Sequence, residues 1–167
     1  MLAQRFDGNV EMCYLAGLAH DMCRELSFEE QQNIVQQNSN CLTFISQRDS
    51  YKAIFADDHF TRKMLHGPAA ACVLFRTYNI FQFDLLEAVA LHSVADETMS
   101  QCAKIVFISD KLEPLREQKP DAQKNLNTLL LNDLFTYTIG CVNSWFSESG
   151  KPILPYTSKI YSRILNK

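Results

Sequence analysis

A chain of 167 residues with 47% apolar and 21% charged side chains is sized for one packed domain, and its five glycines and five prolines suit a helical globule better than a disordered segment. A formal net charge of −3 at pH 7 excludes a general attraction to nucleic acid polymer or to an anionic membrane, so an anionic ligand has to be held by local cations. Six scattered cysteines without a C-x-x-C pair read as free thiols in a reducing compartment, ahead of disulfides or a zinc cluster. No run approaches the roughly 18 apolar residues of a spanning helix, and "MLAQRFDGNV" has no basic stretch before an apolar one. The expectation is a cytoplasmic protein without a membrane partner.

In chain order, Val10, Cys13, Tyr14, Gly17 and Leu18 share one face of a helix that runs into His20 and Asp21. Ser27 followed three residues later by Glu30 has the spacing of a capping box, which opens a short polar helix. Residues 39–62 show weak periodicity and read as loop with one or two helical turns, either a lid or ordinary surface; His59 within them is read as no ligand. "LHGPAAACVLF" places Pro68 at a helix start, where its missing N–H is harmless. Leu85, Leu86, Val89 and Ala90 line the next helix, which closes near His92. Cys102, Ile105, Val106 and Ser109 converge on the one after it, which closes at Asp110. Pro120 and Asp121 suit the first turn of a last long helix carrying Leu126, Leu130, Leu134, Tyr137, Cys141 and Trp145, ended by Gly150 and Pro152. Thr157 caps a final helix with Ile160, Tyr161, Ile164 and Leu165. No strand-like alternation competes, so the fold class is all-α, a helical bundle.

The polar residues at the helix ends carry the chemistry. His20 with Asp21, His66, His92 and Asp110 each adjoin an apolar run, and an imidazole or carboxylate drawn inside needs compensation. A divalent metal supplies it, because nitrogen and oxygen ligands from facing helices converge in a bundle core. Without thiolate, the donor set leaves iron, manganese, nickel and zinc open and disfavours calcium or a pure magnesium cage. Taken singly, each residue also has a plainer reading, as a helix-end partner of the dipole or as a buried group satisfied by its neighbours.

In order, "GLAHD" with Arg24 behind it, "LHGPAAACVL", "LLEAVALHS", "CAKIVFISDKLEPLRE" and "GKPILP" resemble the HD-domain symmetrical diadenosine tetraphosphate hydrolases of bacteria, the symmetrical bis(5'-nucleosyl)-tetraphosphatases. The similarity runs from about residue 1 to 157, with an altered piece at 39–62. It implies a single HD-type metal-dependent phosphohydrolase domain over residues 1–167 and a site with two metal ions, usually iron. By position, His20, Asp21 and Asp110 match the ligands of one ion, His66 and His92 match those of the other, and Asp21 is suited to bridge. The implied reaction splits diadenosine tetraphosphate into two ADP, with Asp21, Arg24 and Arg116 as catalytic residues and both arginines on phosphate. A nucleotide is thus the expected partner, and a homodimer is compatible with it.

Two departures shape the expectation. The family carries a further metal-binding histidine on a helix upstream of the His-Asp pair, and all four histidines here are already assigned. Either the chain continues upstream of Met1, or water or another side chain completes the first ion. After His92, "SVADETMS" keeps one hydroxyl in Ser93, but Val94, Ala95 and Asp96 do not preserve the rest of the hydroxyl, glycine and arginine residues usual there, and Asp96 with Glu97 is expected to repel a polyphosphate. An HD-domain hydrolase of another nucleotide or phosphoester, and a degenerate domain that binds nucleotide without turnover, are the alternatives.

Overall fold

The computed structural model describes residues 2–113 and 122–165 of the chain. The expected Pro120 and Asp121 start lies outside the described residues, as does Arg116. Every element among them is helical: α1 (Leu2–Arg5), α2 (Val10–Ala19), α3 (Phe28–Gln37), a 3-10 turn (Ser39–Leu42), α4 (Asp49–Ile54), α5 (Asp58–Met64), α6 (His66–Thr77), α7 (Phe83–Ala90), α8 (Gln101–Lys111), α9 (Ala122–Thr128), α10 (Leu131–Glu148) and α11 (Pro155–Leu165). The all-α class is therefore the observed one.

The centre of the bundle is α7, against which α2, α6 and α8 pack. Its residues Leu85 to Ala90 are buried in succession, so beyond the exposed first-turn residues Phe83 and Asp84 the helix has no solvent face and its apolar residues need no periodicity. The one charge among them, Glu87, is 2% exposed; it accepts the Ser100 backbone N–H at 3.0 Å and takes the Arg48 guanidinium. One carboxylate thereby joins the 39–62 segment to the start of α8. Small side chains let α6 approach closely. Gly67, Ala69, Ala70, Ala71 and Cys72 are all buried, and a Cβ on Gly67 would stand 2.9 Å from the Ala90 carbonyl oxygen and 3.0 Å from that of Val89.

Local signals start several helices as the sequence suggests. Ser27 and Glu30 form the reciprocal capping box at α3, and Ser100 accepts from the Ala103 N–H to start α8. Gln31, on the same polar helix, is buried and donates to the carbonyls of Cys23 and Leu26, which fastens the turns that follow Asp21.

Four expectations change. Residues 39–62 hold the 3-10 turn, α4 and the start of α5, and Cys41, Leu42, Ile45, Ile54 and Phe60 are buried, so the segment is pinned to the core by these side chains and is no plain surface loop. The inward face of α2 is Cys13, Ala16 and Ala19, whereas Tyr14 and Leu18 are 59% and 64% exposed. The long last helix is two helices: Leu130, in extended conformation and 74% exposed, separates α9 from α10. Pro68 sits in the third position of α6, still within the first turn where its missing N–H is tolerated. Among the described residues no helix is long and apolar enough to cross a membrane.

Candidate metal centre

Three helix ends and one helix start meet at one point. His20 is the residue after α2 and Asp21 follows it, His66 opens α6, His92 lies two residues past α7, and Asp110 is on the last turn of α8. The packing of α7 against α2, α6 and α8 brings these ends together. The absent Cβ of Gly67 admits α6 beside His92, whose Cε1 would lie 3.1 Å from that Cβ.

The ring orientations are set locally. His20 Nδ1 lies 2.7 Å from the Gly17 carbonyl oxygen and His92 Nδ1 lies 2.8 Å from that of Val89, each three residues back on its own chain. Such a carbonyl accepts the Nδ1 proton, which leaves the Nε2 lone pair as the ligating atom. Both Nε2 atoms point toward Asp21, at 3.6 Å from Oδ2 for His20 and 3.4 Å from Oδ1 for His92. His66 Nε2 is 3.2 Å from Asp21 Oδ1 and 3.0 Å from His92 Nε2. His20 Nε2 is also 3.9 Å from Asp110 Oδ1.

The two oxygens of Asp21 therefore face different partners. Oδ1 faces His66 and His92, is buried and has no hydrogen-bond donor; Oδ2 faces His20 and takes Arg24 Nη1 at 2.6 Å. A buried carboxylate oxygen without a hydrogen-bond donor, clustered with three imidazole Nε2 atoms, is a set of ligand atoms that lacks a cation, and a divalent ion meets that need. The donor set fits such an ion: His20, Asp21 and His92 each offer an atom within 4.8 Å of the others.

Electrostatics prepare the groups for that role. The nearby His92 imidazole, together with the Arg24 guanidinium and the His20 ring, holds the Asp21 carboxyl well below the usual carboxylate range against the opposing effect of burial. Burial lowers the His66 pKa to about 4, helped by His92, and burial also lowers that of His92. Both imidazoles are thus neutral and the carboxylate ionised at neutral pH, as metal ligation requires.

A cavity of about 880 Å³ opens at the centre, and His66, His92, Ser93 and Asp110 are part of its lining. Arg24 lines it too, with its guanidinium engaged by Asp21. Lys111, whose Nζ donates to Asp110 Oδ2 at 2.6 Å, and Lys63 add two cations that the sequence pattern did not single out. Lys111 directly follows Asp110, but a lysine in a helix's last turn is ordinary dipole complementation, so adjacency alone carries little signal. Asp96 departs from expectation. It is 4% exposed, accepts from the Thr98 N–H and hydroxyl, and lies 3.4 Å from the Tyr156 hydroxyl; neither it nor Glu97 lines the cavity, so the expected repulsion of a polyphosphate has no source there. His59, on α5, is exposed and is not part of the His20, Asp21 and His92 group.

Residues 1–115, more than two thirds of the chain, match the HD domain family. This chain belongs to the HD domain family. HD domains bind divalent metals, in agreement with the donor set just described. The chain is similar to proteins named symmetrical bis(5'-nucleosyl)-tetraphosphatase. With the one from Staphylococcus aureus it shares 28% identity over 69% of this chain and 53% of that protein, so the match spans about half of that relative's length. With the one from Halalkalibacterium halodurans it shares 25% identity over 98% of this chain and 81% of that protein. Among solved structures, a predicted HD superfamily hydrolase involved in NAD metabolism from Clostridium acetobutylicum superposes with a TM-score of 0.73 at 24% identity, covering 99% of this chain and 82% of that one, which shows a shared fold.

Proposed function

We propose that the protein is a cytoplasmic, metal-dependent phosphoanhydride hydrolase that splits diadenosine tetraphosphate symmetrically into two ADP. The observation that carries this reading is the division of the Asp21 carboxylate, Oδ1 toward His66 and His92 and Oδ2 toward His20. That division suits a bridging ligand between two ions, one held by His20, Asp21 and Asp110 and the other by Asp21, His66 and His92. The similarity to proteins named as tetraphosphatases supports the substrate class.

Two divalent ions held by these residues, with iron as the first candidate, would supply Lewis acidity toward water and the phosphoryl oxygens. The chain's own groups do the rest. Gly17 and Val89 carbonyls keep the His20 and His92 rings aimed. Lys111 and Arg24, at the same end of the cavity as the cluster, meet the non-reacting phosphates, Arg24 exchanging its bond to Asp21 for a bidentate one to phosphate. Arg116, outside the described residues, is assigned a second phosphate contact.

The test is to purify the protein, measure bound metal and resolve the products from diadenosine tetraphosphate by chromatography. ADP as the only product supports the proposal. ATP with AMP would overturn the symmetrical cut. Full metal occupancy without turnover would overturn the substrate and favour another nucleotide or a binding role.

A further inference from the structure

The metal cluster supplies only part of the cavity's lining. The last turns of α10 and the chain leading into α11 add Val142, Trp145, Phe146, Ile153 and Leu154, and α5 adds Phe60. Trp145 is 39% exposed although it lies on a helix, and it meets Phe146 edge to face with ring centroids 4.8 Å apart. Lys151 Nζ stands 4.7 Å from the indole centroid, so the ring face already accepts a cation over it. Lys63 lines the same cavity and makes no ion pair among the described residues. The cavity wall thus combines metal-ligating and cationic side chains with an aromatic pair, in a volume within the range of small-molecule sites.

We propose that Trp145, backed by Phe146, is the stacking platform for the base of one nucleoside half of the substrate, and that Lys63 binds the phosphate chain between that base and the cluster. The assignment rests on the nucleotide reading above and adds where the base is read. The charges fit the occupant: a nucleoside polyphosphate has a polarisable flat ring at one end and several negative charges at the other. An aromatic platform is also tolerant, since every base has a π face, so the site selects nucleotides over bare polyphosphates more strongly than one base over another.

Trp145 is the only tryptophan in the chain, so indole fluorescence reports this part of the cavity lining. The experiment titrates the metal-loaded protein with ADP and, in parallel, with inorganic tripolyphosphate, exciting indole selectively. Saturable quenching by ADP with no comparable change from tripolyphosphate is the expected result. Trp145→Ala is then expected to raise KM for the dinucleotide roughly 5- to 150-fold, the range of one lost base stack, with kcat little changed and Trp145→Phe close to the parent. Lys63→Gln, on the exposed side of α5 and remote from the core, is expected to raise KM without altering the quenching amplitude at saturation. Turnover of diadenosine tetraphosphate with no ADP quenching and an unchanged KM in Trp145→Ala would overturn this inference and leave the proposed reaction standing. ADP quenching without turnover would do the reverse. A folded Trp145→Phe variant that lost as much as Trp145→Ala would also overturn the stacking role, because phenylalanine keeps the platform.

Discussion

Gly67→Ala tests how the centre is assembled. The added methyl would stand 2.9 Å from the Ala90 carbonyl oxygen, 3.0 Å from that of Val89 and 3.1 Å from His92 Cε1. Two of the three neighbours are backbone, and the Val89 oxygen is the one that holds His92 Nδ1. Ordinary contact requires α6 and the end of α7 to separate by about 0.5 Å. Overpacking of this kind costs about 1–3 kcal/mol, against a gain of at most about 1 kcal/mol from replacing a helical glycine by alanine. The net lies between about zero and a loss of about 3 kcal/mol, or up to roughly 12 °C in the melting temperature at this chain length. Because the displaced oxygen orients a ligand, metal affinity is expected to fall about 10- to 100-fold. Gly17→Ala is the matched control: its Cβ meets nothing within 4 Å, and its carbonyl still accepts from His20. It is expected to stabilise by about 0.5–1 kcal/mol with unchanged metal affinity. Thermal unfolding of the chelated proteins and a metal titration of each read both quantities. A Gly67→Ala protein with parental melting temperature and parental affinity would refute the reasoning.

Asp21→Asn keeps the shape of the side chain but removes the charge facing both histidine sets, so metal content by mass spectrometry is expected to drop for the whole cluster; retention of the parental stoichiometry would contradict a bridging role. The metal-free protein should lose stability on acidification. Below pH 6.5 an unfolded His66 takes up a proton that the folded chain refuses until about pH 4, so stability falls across that window by up to about 3 kcal/mol and His66 adds no further loss below it; the His92 shift acts in the same direction. Urea midpoints that stay constant from pH 7 to 4 would rule this out. Cys41 Sγ lies 2.7 Å from Cys72 Sγ, joining the 3-10 turn to α6, so prolonged treatment with diamide is expected to link them, the two thiols losing two electrons and two protons to the diazene. Peptide mapping identifies the bridge, and recovery of both cysteines as free thiols would count against the contact.

What the sequence made legible was what short-range spacing encodes. The Ser27 and Glu30 box needs only three residues, and it formed as expected. The positions of His20, His66, His92 and Asp110 at helix ends were readable because apolar runs stop beside them. The inward face of α2 was not readable, since Tyr14, Leu15 and Leu18 are apolar yet exposed, and the helix buries the smaller Cys13, Ala16 and Ala19 to let α7 and α8 close in. Residues 39–62 were illegible for a different reason: each short helix there contributes only one or two buried side chains, and its position depends on distant partners such as Glu87 on α7. The break at Leu130 leaves the leucine spacing intact, so periodicity is blind to it. Asp96 misled because its charge was visible and its bonds to Thr98 were not.

The bonds from His20 to Gly17 and from His92 to Val89 have a consequence for how such a centre is made. Both satisfy a carbonyl at the end of a helix, where the last four are left without intrahelical donors. One chemical need, an orphan acceptor, thus sets the pose of a ligand within a single turn of chain. Each histidine is a prefabricated part, aimed before its neighbours arrive, and the bundle has only to bring finished ends into register. A site built this way is portable: grafting a helix end with its terminal histidine onto another bundle carries the ring orientation with it, and the new host has to supply only the distance.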